Sequence, residues 1–71
     1  MRHSLRNTRM AKGLTQEQVA LAVGISRTYY TLIELGQRTP SVDDAQRIAR
    51  VLGATVDELF PLRQEREVAG S

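Results

Sequence analysis

The sequence predicts an all-α fold of five short helices, and three features carry that prediction. Glycine recurs just past four apolar-periodic segments, at Gly13, Gly24, Gly36 and Gly53. A capping residue (Thr15, Ser26, Ser41 or Thr55) follows each glycine a few residues later. No stretch alternates apolar and polar side chains as a half-buried strand does. Glycine reaches the left-handed conformation that ends a helix without a side-chain clash. A Ser or Thr next in line accepts from the unpaired N–H groups of the first turn that follows.

The first helix is expected over roughly residues 3–12, ending at Gly13. The second, over 16–23, opens on Thr15, with Gln18 placed to complete a capping box. Its Val19, Ala20 and Val23 share one face. The third, over 27–35, is capped by Ser26 and turns Tyr30 and Ile33 inward. The fourth, over 42–52, opens on Ser41 and Asp44, a box with a shorter acid than usual. Val42, Ala45, Ile48, Ala49 and Leu52 form its apolar stripe. The fifth, over 56–60, opens on Thr55 and Glu58 and is stopped by Pro61. One domain over 1–60 is thus expected, with 61–71 a charged tail that is frayed or a short helical extension.

With 71 residues the chain has room for one small core. It contains no cysteine, which excludes a disulfide framework and thiolate metal sites. No apolar run approaches the roughly 18 residues of a membrane span, and the stretch Met1 to Arg6 lacks the apolar segment of a secretory signal. A cytoplasmic protein is expected. His3 is the single histidine and has no converging ligands. Ser4, Ser26 and Ser41 read as caps with no histidine base near them. Asp43-Asp44 and Asp57-Glu58 fall in first helical turns, where acids complement the helix dipole. No catalytic residue, metal or cofactor is expected.

The net charge of +2 is unevenly spread. Arg2, Arg6, Arg9, Lys12, Arg27 and Arg38 face only Glu17 and Glu34 in the first 38 residues. Residues 39–71 carry more acids than bases. Such asymmetry suits an anionic partner on one side, and equally an ordinary solvated surface.

The second and third helices carry a sharper pattern. Two short helices crossing at a tight turn need a small residue at the crossing, a glycine at the turn and apolar residues that bind both helices to the core. Counting from Gln16, the fifth residue is Ala20 and the ninth is Gly24. The fourth, eighth, tenth, fifteenth and eighteenth are Val19, Val23, Ile25, Tyr30 and Ile33. Every requirement of a helix-turn-helix is met.

The runs Gly13-Leu14-Thr15-Gln16-Glu17-Gln18-Val19-Ala20, Gly24-Ile25-Ser26-Arg27, Ile33-Glu34-Leu35-Gly36-Gln37-Arg38 and Pro40-Ser41 resemble the Xre, or Cro/C1-type, family. This is the lambda-repressor-like DNA-binding domain, and the likeness covers residues 5–60. Thr8, Tyr30 and Leu35 depart from the residues usual in the family.

The resemblance implies that the third helix enters the major groove of duplex DNA. Arg27, Thr28, Thr31 and Leu32 are then the expected base contacts. Arg27 suits guanine N7 and O6, or else a phosphate. Thr28 and Thr31 suit thymine methyls or phosphate, and Leu32 a thymine methyl or the edge of the core. Gln16, Tyr29, Gln37, Arg38 and Thr39 are the expected phosphate contacts. Arg9 and Glu34 match a family pair that bridges the first and third helices. Val56, Phe60 and Leu62 are the expected contacts of a homodimer on a palindromic operator, with no effector domain expected. The function implied is transcriptional regulation, with repression favoured, by a nucleoid-associated protein.

Two other functions compete. An antitoxin or similar module on this fold would hold a protein partner through Leu32, Leu35, Val56, Leu62 and Val68, and a co-purified partner would reveal it. A structural nucleoid protein would bind without sequence preference, and a single clean footprint would exclude it. RNA binding is disfavoured, because Tyr29, Tyr30 and Phe60 are the only aromatic residues.

Overall fold

The computed structural model describes residues 1–61. Leu62, Val68 and the rest of the expected tail beyond Pro61 lie outside them. The helices are α1 (His3–Ala11), α2 (Gln16–Val23), α3 (Arg27–Leu35), α4 (Val42–Leu52) and α5 (Val56–Leu59). No strand occurs among the described residues.

Local chemistry sets the boundaries. At α2 the Thr15 side chain accepts from the Gln18 N–H while the Gln18 side chain accepts from the Thr15 N–H, a complete capping box. Thr55 and Glu58 do the same at α5. Ser26 and Ser41 cap α3 and α4 from one side only. The Asp44 carboxylate accepts instead from the Tyr29 hydroxyl at 3.0 Å, so the box expected at Ser41 is half formed. Two ends differ from expectation. Helix α1 closes at Ala11, with Lys12 in the cap. Helix α5 closes at Leu59, because Phe60 turns to φ −128° and ψ 71°, away from the helical region that Pro61 disfavours for its predecessor.

The turn between α2 and α3 depends on Gly24 at φ +90°. There the Gly24 and Ile25 N–H groups both donate to the Ala20 carbonyl, at 2.9 and 3.0 Å. A side chain at that φ would be strained. Helix α2 packs on both α3 and α4, and α1 packs on α3 and α5. Leu5, Val19, Tyr30, Ile33, Ile48, Leu52 and Leu59 are fully enclosed between them. Burying each of the aliphatic side chains among them stabilises the fold by about 1.5–3 kcal/mol.

One apolar assignment needs correction. Val42 is 75% exposed and lies outside the core. It is the first residue of α4, one turn ahead of the buried stripe that begins at Ala45.

Candidate nucleic-acid interface

Glu34 organises the site. It sits near the end of α3 and is 1% exposed. Arg9 on α1 reaches it with Nε to Oε2 at 2.5 Å and Nη2 to Oε1 at 3.3 Å. The remaining Arg9 nitrogen, Nη1, donates to the Leu14 carbonyl at 2.7 Å. One guanidinium thus ties α1 to α3 and to the loop that leads into α2. Gln16 Nε2 also donates to Glu34 Oε1, at 3.0 Å. Burial pushes the Glu34 carboxyl up, but the hydrogen bonds from Arg9 and Gln16 outweigh it and hold its pKa below the ordinary glutamate value. The hydrogen bond to Glu34 raises Arg9 in turn. Both groups stay charged at neutral pH.

Tyr30 ends beside this pair. Its hydroxyl is enclosed and makes no hydrogen bond of good geometry among the described residues. Burial first, and the close approach of the Glu34 carboxylate second, raise it far above the ordinary tyrosine range. It stays neutral.

The expected DNA-facing residues fall into three groups. Arg27 and Thr28 are exposed at the start of α3. Arg27 lines one surface depression together with Arg9, Thr15 and Gln16, so the starts of α2 and α3 share a groove. Gln16, Thr31 and Leu32 are half-buried, and Thr31 Oγ1 donates to Gln16 Oε1 at 2.9 Å. Gln37, Arg38 and Thr39 are exposed in the loop after α3. Tyr29 stands apart from all three: it is half-buried, bonded to Asp44, and raised in pKa by burial and by that bond.

Arg2 is the contributor that the sequence did not reveal. It is buried. Its backbone N–H donates to the Glu34 carbonyl at 2.7 Å. Its Nε donates to the Ile33 carbonyl at 3.0 Å, and Nη2 to the Arg38 carbonyl at 3.2 Å. Its guanidinium also lies 5.5 Å from the centre of the Phe60 ring, within cation–π range. Arg2 therefore caps the carbonyl end of α3 and holds the loop that carries Arg38. These three carbonyl partners lie more than 30 residues away in sequence. No periodicity or motif signals such contacts.

Of the residues expected at a dimer contact, Phe60 is buried in the core of the single chain, and Val56 is half-buried against it. Both still edge a second depression, which Val42 also lines. Leu62 lies outside the described residues. Among those residues no cluster of His, Asp or Glu is placed to hold a metal, and no helix is long and apolar enough to cross a membrane.

Comparison with known proteins agrees with this arrangement. A family model described as Helix-turn-helix matches residues 5–59. The HTH-type transcriptional regulator YqaF of Bacillus subtilis is 51% identical over 53 residues, covering 75% of this chain and 70% of that one. The control protein C.MunI of a Mycoplasma species is 43% identical over 47 residues, covering 66% of this chain and 64% of that one. Among solved structures, the restriction-modification controller protein C.AhdI from Aeromonas hydrophila superposes with a TM-score of 0.75 at 40% identity. That match covers 80% of this chain and 86% of the controller. The chain belongs to the Xre, or Cro/C1-type, family of helix-turn-helix transcriptional regulators, a family of DNA-binding proteins and not of enzymes.

Proposed function

We propose that this protein binds a specific duplex DNA operator through α3 and regulates transcription there, as a repressor and as a homodimer on a palindrome. The observation that carries the proposal is the anchoring of α3. Buried Glu34 ties that helix to Arg9 on α1 and Gln16 on α2, while Arg27 and Thr28 stay exposed at its start. A helix held this firmly presents its outer side chains to base edges at little ordering cost. Arg27, Thr28, Thr31 and Leu32 serve as base contacts, and Gln16, Tyr29, Gln37, Arg38 and Thr39 as backbone contacts. Tyr29 has to give up or share its bond to Asp44 to reach a phosphate. A DNA partner implies a cytoplasmic, nucleoid-associated protein.

The dimer rests on the depression lined by Val42, Val56 and Phe60. An exposed valine beside an apolar hollow suits contact with a second copy better than contact with water. Two half-sites about one helical turn apart would then be read together. The likeness to C.AhdI and C.MunI favours one regulatory setting, the control of a restriction-modification locus.

Selection from a randomised duplex pool tests the proposal. An enriched palindrome with half-sites roughly 10 bp apart is the expected result. A pool that emerges without sequence enrichment contradicts it and favours a non-specific nucleoid protein.

A further inference from the structure

Gln16 and Thr31 belong to one chain of hydrogen bonds that starts on a buried carboxylate. Glu34 is 1% exposed and accepts from Gln16 Nε2 at 3.0 Å. An ionised carboxylate only accepts. It therefore decides which end of the Gln16 amide faces it: the NH₂ group turns toward Glu34 and the carbonyl turns away. That carbonyl meets Thr31 Oγ1 at 2.9 Å. A carbonyl cannot donate, so the single hydroxyl proton of Thr31 is committed to Gln16. What Thr31 offers outward is a pair of lone pairs.

We propose that this chain of hydrogen bonds sets the hydrogen-bond polarity of the recognition helix: it holds Thr31 as an acceptor, so that Thr31 selects bases that present an amino group in the major groove. The inference rests on the proposed docking of α3 in the major groove. There cytosine offers its N4 amino group and adenine its N6 amino group. Guanine offers only acceptors, and thymine an acceptor and a methyl. Phosphate oxygens also only accept. A threonine with its proton free would pair with any of these. With the proton taken, it pairs with adenine or cytosine and not with guanine, thymine or phosphate. Thr31 is thereby a specificity-determining residue, and Gln16 is its positioning residue. The second amide hydrogen of Gln16 is not used by the chain, which leaves it for a backbone phosphate.

The test is selection from a randomised duplex pool with the full wild-type chain and with Thr31→Val, Thr31→Ser and Gln16→Met. Valine keeps the shape of threonine and removes the hydroxyl. Serine keeps the hydroxyl. Methionine keeps the length of glutamine and removes the acceptor, which frees the Thr31 proton. Circular dichroism melting sets a temperature at which all four are folded. The wild type should show, in each half-site, one position where adenine and cytosine together are favoured over guanine and thymine on one strand. The preference should be about tenfold, the scale of one discriminating contact. Thr31→Val should lose that grouping, Thr31→Ser should keep it, and Gln16→Met should accept all four bases there. Thr31→Val leaving every preference intact would overturn the inference while leaving the DNA-reading proposal standing. So would a wild-type preference for thymine at that position that Thr31→Val retains, which would mark a methyl contact. A wild-type pool with no enrichment would overturn both.

Discussion

Arg9 and Glu34 matter because they are buried together, with side chains 12% and 2% exposed. A paired buried charge adds little net stability, but losing one partner strands the other. Arg9→Ala and Glu34→Ala should each cost about 3 kcal/mol in urea unfolding, and the double variant should cost less than the sum. Small additive losses would contradict this coupling. The pair also predicts an acid response. The folded-state pKa of Glu34 lies below its ordinary value of 4.5, so its contribution is complete above that value. It is lost as pH falls through the lower folded value. Wild-type melting temperature should therefore drop more steeply below pH 4.5 than that of Glu34→Gln. The pair was legible in the sequence from the family motif, because both residues sit at motif positions. The Gln16–Thr31 bond and the burial of Arg2 were not, since each depends on where a flexible side chain ends in space. Val42 was misread for a related reason: periodicity gives a helix face but not how far the neighbouring helices reach along it.

The elements were the most legible scale, because glycine and capping residues act through local backbone chemistry. Helices α2, α3 and α4 begin and end where the Gly and Ser/Thr pattern places them. The remaining end shifts fall at Lys12 and at Phe60, where the competition is between one more helical residue and a turn. Gly24 is the position where local chemistry is least forgiving. At φ +90°, Gly24→Ala should destabilise by about 1–2 kcal/mol. No atom outside its chain neighbours lies within 4 Å of where a Cβ would stand, so the loss would report backbone strain and not a clash. An unchanged melting temperature would contradict the strained turn. The loop after α3 makes an electrostatic prediction. Arg38 is exposed there with its carbonyl held by Arg2. Arg38→Ala should weaken binding to all duplexes alike and lower the salt-dependence slope by about 1. A changed base preference in fluorescence anisotropy titrations would show that Arg38 reads sequence instead.

At the scale of the whole molecule, the five short helices of the described residues enclose one small core, and in the proposed docking a single α3 would read too few base pairs to be specific in a genome. Two copies on a palindrome answer that need. The Val42, Val56 and Phe60 depression is small, so its contact should be weak in free protein and completed on DNA. Sedimentation velocity should show a concentration-dependent mixture of monomer and dimer alone, and two chains on the enriched duplex. Val42→Asp should shift the free protein to monomer without lowering its melting temperature, since the side chain is exposed. One chain per duplex at every concentration would remove the dimer. The most direct measurement repeats the random-pool selection with wild type and Arg27→Ala side by side. Arg27 is the exposed base at the start of α3. If two copies of this helix read a palindrome, Arg27→Ala should cost about 1–3 kcal/mol and relax one base pair in each half-site, at symmetry-related positions. An unchanged preference at both positions, or relaxation on one side only, would contradict it.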